Sequence, residues 1–186
     1  MAVCVMVLLI VKDNNMLSRS SWTIPGSFLA LCFGTFAVAE DLQMLTGPTI
    51  LTILVDQEQE DGGDTVVFDR AALTALPATT FETSTIWTDG VHSFTGVSLQ
   101  TLALEMGVND GQFLATAIND YSVEIPLSDA VEGGPIIAYL MDGEELSIRN
   151  KGPLWVIYPY DSDADFRSEV VFSRSIWQLD RLEILR

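Results

Sequence analysis

Beyond Cys32 the 186-residue chain has no cysteine; its two, Cys4 and Cys32, both lie in an apolar N-terminal stretch. Everything after it must stand without disulfides, and without zinc–thiolate sites, iron–sulfur ligation or a cysteine nucleophile. Histidine is nearly as scarce. His92 is the only one, so no histidine cluster can form, and a zinc ion would find carboxylates alone beside it. Basic residues are few: 9 Lys and Arg against 26 Asp and Glu give a net charge of −17. Such a surface repels nucleic acid and anionic lipid, which excludes both as partners. Solubility in a saline medium explains the imbalance without a cationic partner. GxSxG, Walker and GxGxxG patterns are missing too, and Ser84 has no evident base, so a hydrolase triad is unsupported.

The N-terminus reads as an address. Arg19 supplies a positive start, Ile24 to Phe36 is mostly apolar, and Ala37-Val38-Ala39 is a small-x-small cleavage site. The expectation is a signal peptide over residues 1–39, with residues 1–15 an over-extended start and Met16 the more sensible one. Two readings compete. An uncleaved anchor over residues 22–39 is diluted by Pro25, Gly26 and Gly34, and Leu29-Ala30-Leu31-Cys32 resembles a lipoprotein box but has Leu31 where a small residue is wanted. Cleavage would leave residues 40–186 as a single domain, periplasmic, one unit more negative than the whole chain, and free of the membrane. Export without disulfides fits an envelope protein with a core large enough to stand alone.

Residues 40–186 read mostly as strands. Thr49 to Val55 is a β-branched run, residues 57–64 an acidic turn, and Thr65 to Phe68 a second strand. Asp69 caps a short helix over Arg70 to Leu76, stopped by Pro77. Thr79 to Trp87 alternates, with Phe81, Thr83 and Thr85 on one face and Glu82, Ser84 and Ile86 on the other. After the Asp89-Gly90 turn, His92 to Thr95 leads to a helix capped by Ser98 and ended by Gly107. Strands over residues 113–118 and 122–125 flank an Asn119-Asp120 turn, and Pro126 opens a short helical turn. Residues 135–141, 154–158 and 177–185 complete the strands. The fold class is α+β, mostly β, with a mixed sheet and two or three short helices.

This ordered series resembles a family. Phe68-Asp69-Arg70-Ala71-Ala72-Leu73 runs to Leu76-Pro77; Phe94-Thr95-Gly96-Val97-Ser98-Leu99 opens a helix; Asn119-Asp120-Tyr121-Ser122-Val123 precedes Ile125-Pro126-Leu127. Ile137-Ala138-Tyr139, Met141-Asp142-Gly143-Glu144, Lys151-Gly152-Pro153-Leu154, Val156-Ile157-Tyr158-Pro159 and Trp177 follow in order. Together they resemble the oxidoreductase molybdopterin-binding domain of the sulfite-oxidase type, and its small exported relatives, over residues 49–185. The resemblance implies a mixed α+β fold around a cofactor cleft, where a strand cysteine grips molybdenum and arginines hold the pterin phosphate. A soft thiolate suits that metal. Here the matching strand reads Thr80-Phe81-Glu82-Thr83-Ser84-Thr85-Ile86-Trp87, so the ligand position falls at Thr83 or Ser84. The following turn, Thr88-Asp89-Gly90, lacks the arginine-rich stretch of the larger enzymes.

The cleft expected from the resemblance lies between Thr83, Ser84, Trp87, His92, Asn119, Tyr121, Arg149 and Lys151. Each has a plainer reading. His92 can be a surface or structural residue, and Arg149 to Gly152, the one basic island, can be a turn among acids or an anion receiver. Asp161, Asp163 and Asp165 have calcium-like spacing but lack the EF-hand glycine and glutamate, so a solvated acidic loop is expected. Arg167 and Arg174 are expected in a loop, pairing with Glu169. Trp87, Trp155, Tyr121, Tyr158 and Tyr160 could line a pocket, with Trp155 and Trp177 expected in the core.

Three functions stay open. The first is an exported small-molecule-binding or sensory accessory domain, without molybdenum catalysis, taking a small anionic or pterin-like ligand or an envelope protein partner. The second is a molybdenum-cofactor oxidoreductase whose metal is held by the pterin alone. The third is a structural or partner-binding protein with an empty cleft. No catalytic residue or metal ligand is assigned; no cofactor is expected under the first reading, and molybdopterin under the second.

Overall fold

The computed structural model describes residues 45–55 and 64–185. The signal-peptide expectation, both cysteines and most of the turn expected at residues 57–64 lie outside them.

Among the described residues, ten strands, three short α-helices and three single 3₁₀ turns follow in chain order. The first strands are β1 (Thr49–Val55) and β2 (Asp64–Asp69), then α1 (Arg70–Ala75), β3 (Ala78–Ser84), β4 (Val91–Ser98) and α2 (Leu99–Glu105). β5 (Gln112–Ala117) and β6 (Ser122–Pro126) form a hairpin, followed by β7 (Ile136–Met141), β8 (Glu144–Glu145) and β9 (Trp155–Ile157). α3 (Glu169–Arg174) and β10 (Leu179–Leu185) come last.

Within the described residues these strands form two five-stranded sheets. In one the order is β2-β1-β10-β5-β6, and β1 and β10 pair in parallel among otherwise antiparallel neighbours. In the other, β3, β4, β7 and β8 run in order, and β9 also pairs with β7. One cluster of buried side chains draws on both sheets, with Leu51, Ile53, Phe113, Leu182 and Ile184 from the first and Phe94, Ile136, Ile137 and Val156 from the second. Each such side chain contributes about 1.5–3 kcal/mol by leaving water.

Local chemistry sets the element ends. Asp69 accepts from Ala72 N at 2.7 Å, capping α1, while its other oxygen accepts from Thr46 N at 2.6 Å and Gly47 N at 2.9 Å. These bonds, with that from Ala72 the largest influence, hold its carboxyl below the usual range. Ser98 caps α2 by accepting from Thr101 N at 2.9 Å, and Gly107 takes the left-handed φ of +64° beyond it.

Three expectations are corrected. The strand expected over Thr79 to Trp87 stops at Ser84, because the Asp161 carboxylate captures the Ser84 N–H at 2.5 Å; Thr85 then accepts from Trp87 N at 3.0 Å and turns the chain. The strand expected from Trp177 starts at Leu179, since Gln178 lies at φ +55°. The loop expected to carry Arg167 and Arg174 contains α3, capped by Ser168, which accepts from Val171 N at 3.3 Å.

Candidate functional site

The two sheets are stitched together by the segment between α3 and β10. Val156 N donates to Ile176 O at 2.8 Å, Leu179 N to Leu154 O at 3.0 Å, and Ile118 N to Gln178 O at 2.9 Å. This seam therefore touches β9 of one sheet and the β5–β6 hairpin of the other. A concavity of about 300 Å³ opens beside it, walled by Trp87, Asn119, Tyr121, Phe172, Ser173 and Trp177, with Ala117, Ser175 and Ile176 at its base.

Trp87 organises the aromatic wall. Its ring meets those of Trp155, Phe172 and Trp177 edge-on at 5.8–5.9 Å between centroids, and that of Tyr160 at 6.3 Å. Trp155 and Tyr160 back it from the core, and burial pushes the Tyr160 phenol up to about 12. Tyr160 OH and Ser175 Oγ share a 2.5 Å bond, and Trp155 Nε1 donates to Ser175 O at 3.2 Å, so Ser175 is fully engaged.

α3 is pinned from below. Arg174 Nη1 and Tyr158 OH both donate to Asp129 Oδ2, at 2.9 and 2.7 Å. Arg174 thus pairs with Asp129 and not with Glu169, as the sequence suggested. Tyr158 is wholly buried, and that burial raises its phenol far above the ordinary value.

Lys151 reaches the seam by an unusual backbone. It sits at φ +67°, its carbonyl accepts from Gln178 N at 2.9 Å, and the next residue, Gly152, lies so close to the Leu146 carbonyl that a Cβ would collide with it. Its Nζ stands 4.6 Å from the Trp177 ring centre and 5.4 Å from that of Trp155. Trp177, expected in the core, is 40% exposed. The bend at Gln178 and the cover of Lys151 keep it at the surface.

The eight residues expected around one cleft separate into four groups. Trp87, Asn119 and Tyr121 line the concavity, and Lys151 stacks on its wall. Thr83 and Ser84 do not line it. Thr83 is completely buried; its hydroxyl accepts from Asp161 N at 3.1 Å and donates to Ser84 O at 3.2 Å. Ser84 gives its N–H and, at 2.9 Å, its hydroxyl to the Asp161 carboxylate. Those donations hold the Asp161 carboxyl below its usual range. His92 faces elsewhere: Nδ1 meets Asp142 at 2.6 Å and Nε2 meets Asp89 O at 2.9 Å. Arg149 is exposed, with no side-chain bond or ion pair among the described residues.

Sequence reasoning missed Phe172, Ser173 and Ile176 as lining residues. The Ser168-Glu169 cap followed by Val171 and Phe172 was the available signal. The Asp161-Asp163-Asp165 run divides its work: Asp161 holds Ser84, and Asp163 accepts from Asp165 N at 2.9 Å. Among the described residues no three His, Cys, Asp or Glu side chains gather closely enough to hold a metal ion.

A family model described as the oxidoreductase molybdopterin-binding domain matches residues 71–162. No curated protein matches the sequence. Among solved structures, the sulfane dehydrogenase SoxCD from Paracoccus pantotrophus is similar over 72% of this chain, with a TM-score of 0.52 and 18% identity. The match spans 38% of that longer chain, and at this identity the likeness shows a common fold.

Proposed function

Residues 71–162 match the oxidoreductase molybdopterin-binding domain family, and from that premise we propose that this chain is an exported binding or sensory accessory domain. It uses the sulfite-oxidase-like fold to hold a small anionic or pterin-like ligand and performs no molybdenum chemistry. One observation carries this reading: the strand position that the resemblance assigns to the metal-binding cysteine is occupied by hydroxyls already bonded within the protein. Thr83 is sealed from solvent and its oxygen is spent on Asp161 N and Ser84 O. Ser84 is locked to a carboxylate.

The donor set does not fit a protein-ligated molybdenum. A hydroxyl of ordinary acidity is a poor replacement for a thiolate, and the Asp161 carboxylate over the same step repels the anionic groups of a pterin cofactor. Among the cations, Arg174 is committed to Asp129, and Arg167 acts on the Asp161 carboxylate itself, helping to lower its pKa. No step is therefore assigned to the metal. What the residues do supply is a concavity with aromatic walls and few polar groups, the usual make-up of a small-molecule site.

The test is to express the full chain in a bacterium that makes the cofactor, recover it from the periplasmic fraction, and read its N-terminus, molybdenum content and pterin fluorescence. Export predicts a new N-terminus at Glu40 and protein outside the cytoplasm. Absence of catalysis predicts molybdenum far below one atom per chain, and none gained in Thr83→Cys or Ser84→Cys. Stoichiometric molybdenum in the unaltered protein would overturn the reading in favour of an enzyme whose metal is held by the pterin alone.

A further inference from the structure

The concavity at the seam has a chemical bias beyond being apolar. In a chain with 26 Asp and Glu, none of its nine lining residues is acidic. Its uncommitted polar groups are chiefly donors. Asn119 uses Oδ1 to accept from Tyr121 N at 3.3 Å, which leaves its NH₂ without a partner among the described residues. The indole N–H groups of Trp87 and Trp177 and the Tyr121 hydroxyl likewise have no protein partner there, and that of Trp87 is not sealed from solvent.

Lys151 adds a charge. Arg70, Arg174 and Arg181 each pair with a carboxylate, at 3.6, 2.9 and 3.3 Å. Lys151, like Arg149 and Arg167, forms no ion pair among the described residues, but its ammonium rests on Trp177 beside the pocket, fixed there by the Gln178 bond and the close Gly152 approach. In so acidic a protein, an unpaired ammonium beside an acid-free aromatic pocket is a placed charge. Over half the lining, residues 172–177, also lies outside the stretch 71–162 matched by the family model.

We propose that this pocket binds a flat aromatic carboxylate, its ring laid against Trp177 and Tyr121 and its carboxylate drawn by Lys151 and the Asn119 amide. The inference rests on the reading of the chain as a binding domain and names the ligand class. The volume suits one or two fused rings and little more. Stacking supplies most of the affinity and the cation the preference for an anion, because rings offer area while the lysine distinguishes charge.

The experiment uses 2-naphthoate, its neutral amide and 6-carboxypterin, titrated against the purified chain by equilibrium dialysis and saturation-transfer NMR. Naphthoate should bind saturably and more tightly than the amide. Trp177→Ala should weaken both by about tenfold. Lys151→Gln should erase the preference for the carboxylate while leaving amide binding intact. Trp177 is partly exposed, so its loss spares the core; Tyr121→Ala, at a still more exposed residue, repeats the test independently. Saturable binding of carboxypterin with the same mutant pattern supports the pocket and makes a pterin its natural occupant. No saturable binding by any probe, or binding indifferent to Trp177 and Tyr121, overturns the proposal. Either result is independent of molybdenum content, so the pocket and the loss of metal chemistry fail separately.

Discussion

His92 joins the β3–β4 turn to the β7–β8 turn, through Asp89 O on one side and Asp142 on the other. Asp142 also accepts from Ser93 N at 2.9 Å. The Asp142 hydrogen bond is the largest influence raising the His92 pKa, and the same bond leads in lowering that of Asp142. A raised histidine contributes stability that is complete below its unfolded value, about 6.5, and is lost as pH rises through the higher folded value. A lowered carboxylate contributes above its unfolded value, about 3.9, and loses it as pH falls through the lower folded value. The pair therefore stabilises most between about pH 4 and 6.5. His92→Gln should cost most stability in that window and less at alkaline pH, measured as urea midpoints across pH. An unchanged difference at every pH would assign His92 a purely geometric role. Its surface or structural reading was available from its isolation in the sequence; its carboxylate partner was not, because Asp142 lies fifty residues away.

Among the elements, α3 is the one on which the pocket depends. It carries Phe172 and Ser173 into the wall while Asp129 holds its C-terminal end through Arg174. Asp129→Ala should strand the buried Tyr158 hydroxyl and cost about 1–3 kcal/mol. Ser168→Ala, at the other end, should cost about 1 kcal/mol by removing the cap. Both are read as shifts in urea midpoint at constant m-value, and only variants that loosen α3 should also blur the near-ultraviolet signal of Trp87. The capped helices α1 and α2 and the β5–β6 hairpin were legible because their signals, Asp69, Ser98-to-Gly107 and Asn119-Asp120, are local. The ends of β3 and β10 were not. Each is set by a distant partner, Asp161 for the first and Lys151 for the second, and period-two alternation carries no record of either.

At the scale of the molecule, the mixed β fold followed from composition and alternation, but the division into two sheets and the seam between them did not. Strand pairing is a long-range choice that a single sequence does not display. Thr83 and Ser84 were singled out by the resemblance carried in the ordered motifs, whereas the pocket of Trp87 and Trp177 emerges only when residues 87, 121, 151 and 177 meet. The centre of the first sheet is β10, held between β1 and β5. Leu182, wholly buried there, pairs with Ile53 on one side and Ala115 on the other. Leu182→Ala should cost about 2–5 kcal/mol, seen as a lowered urea midpoint. The place of β10 also fixes an order of events during synthesis. Until the last of its residues has left the ribosome, β1 has an unfilled edge and β5 lacks its inner neighbour. The first sheet therefore closes last at its middle, where the strand made latest joins two made much earlier.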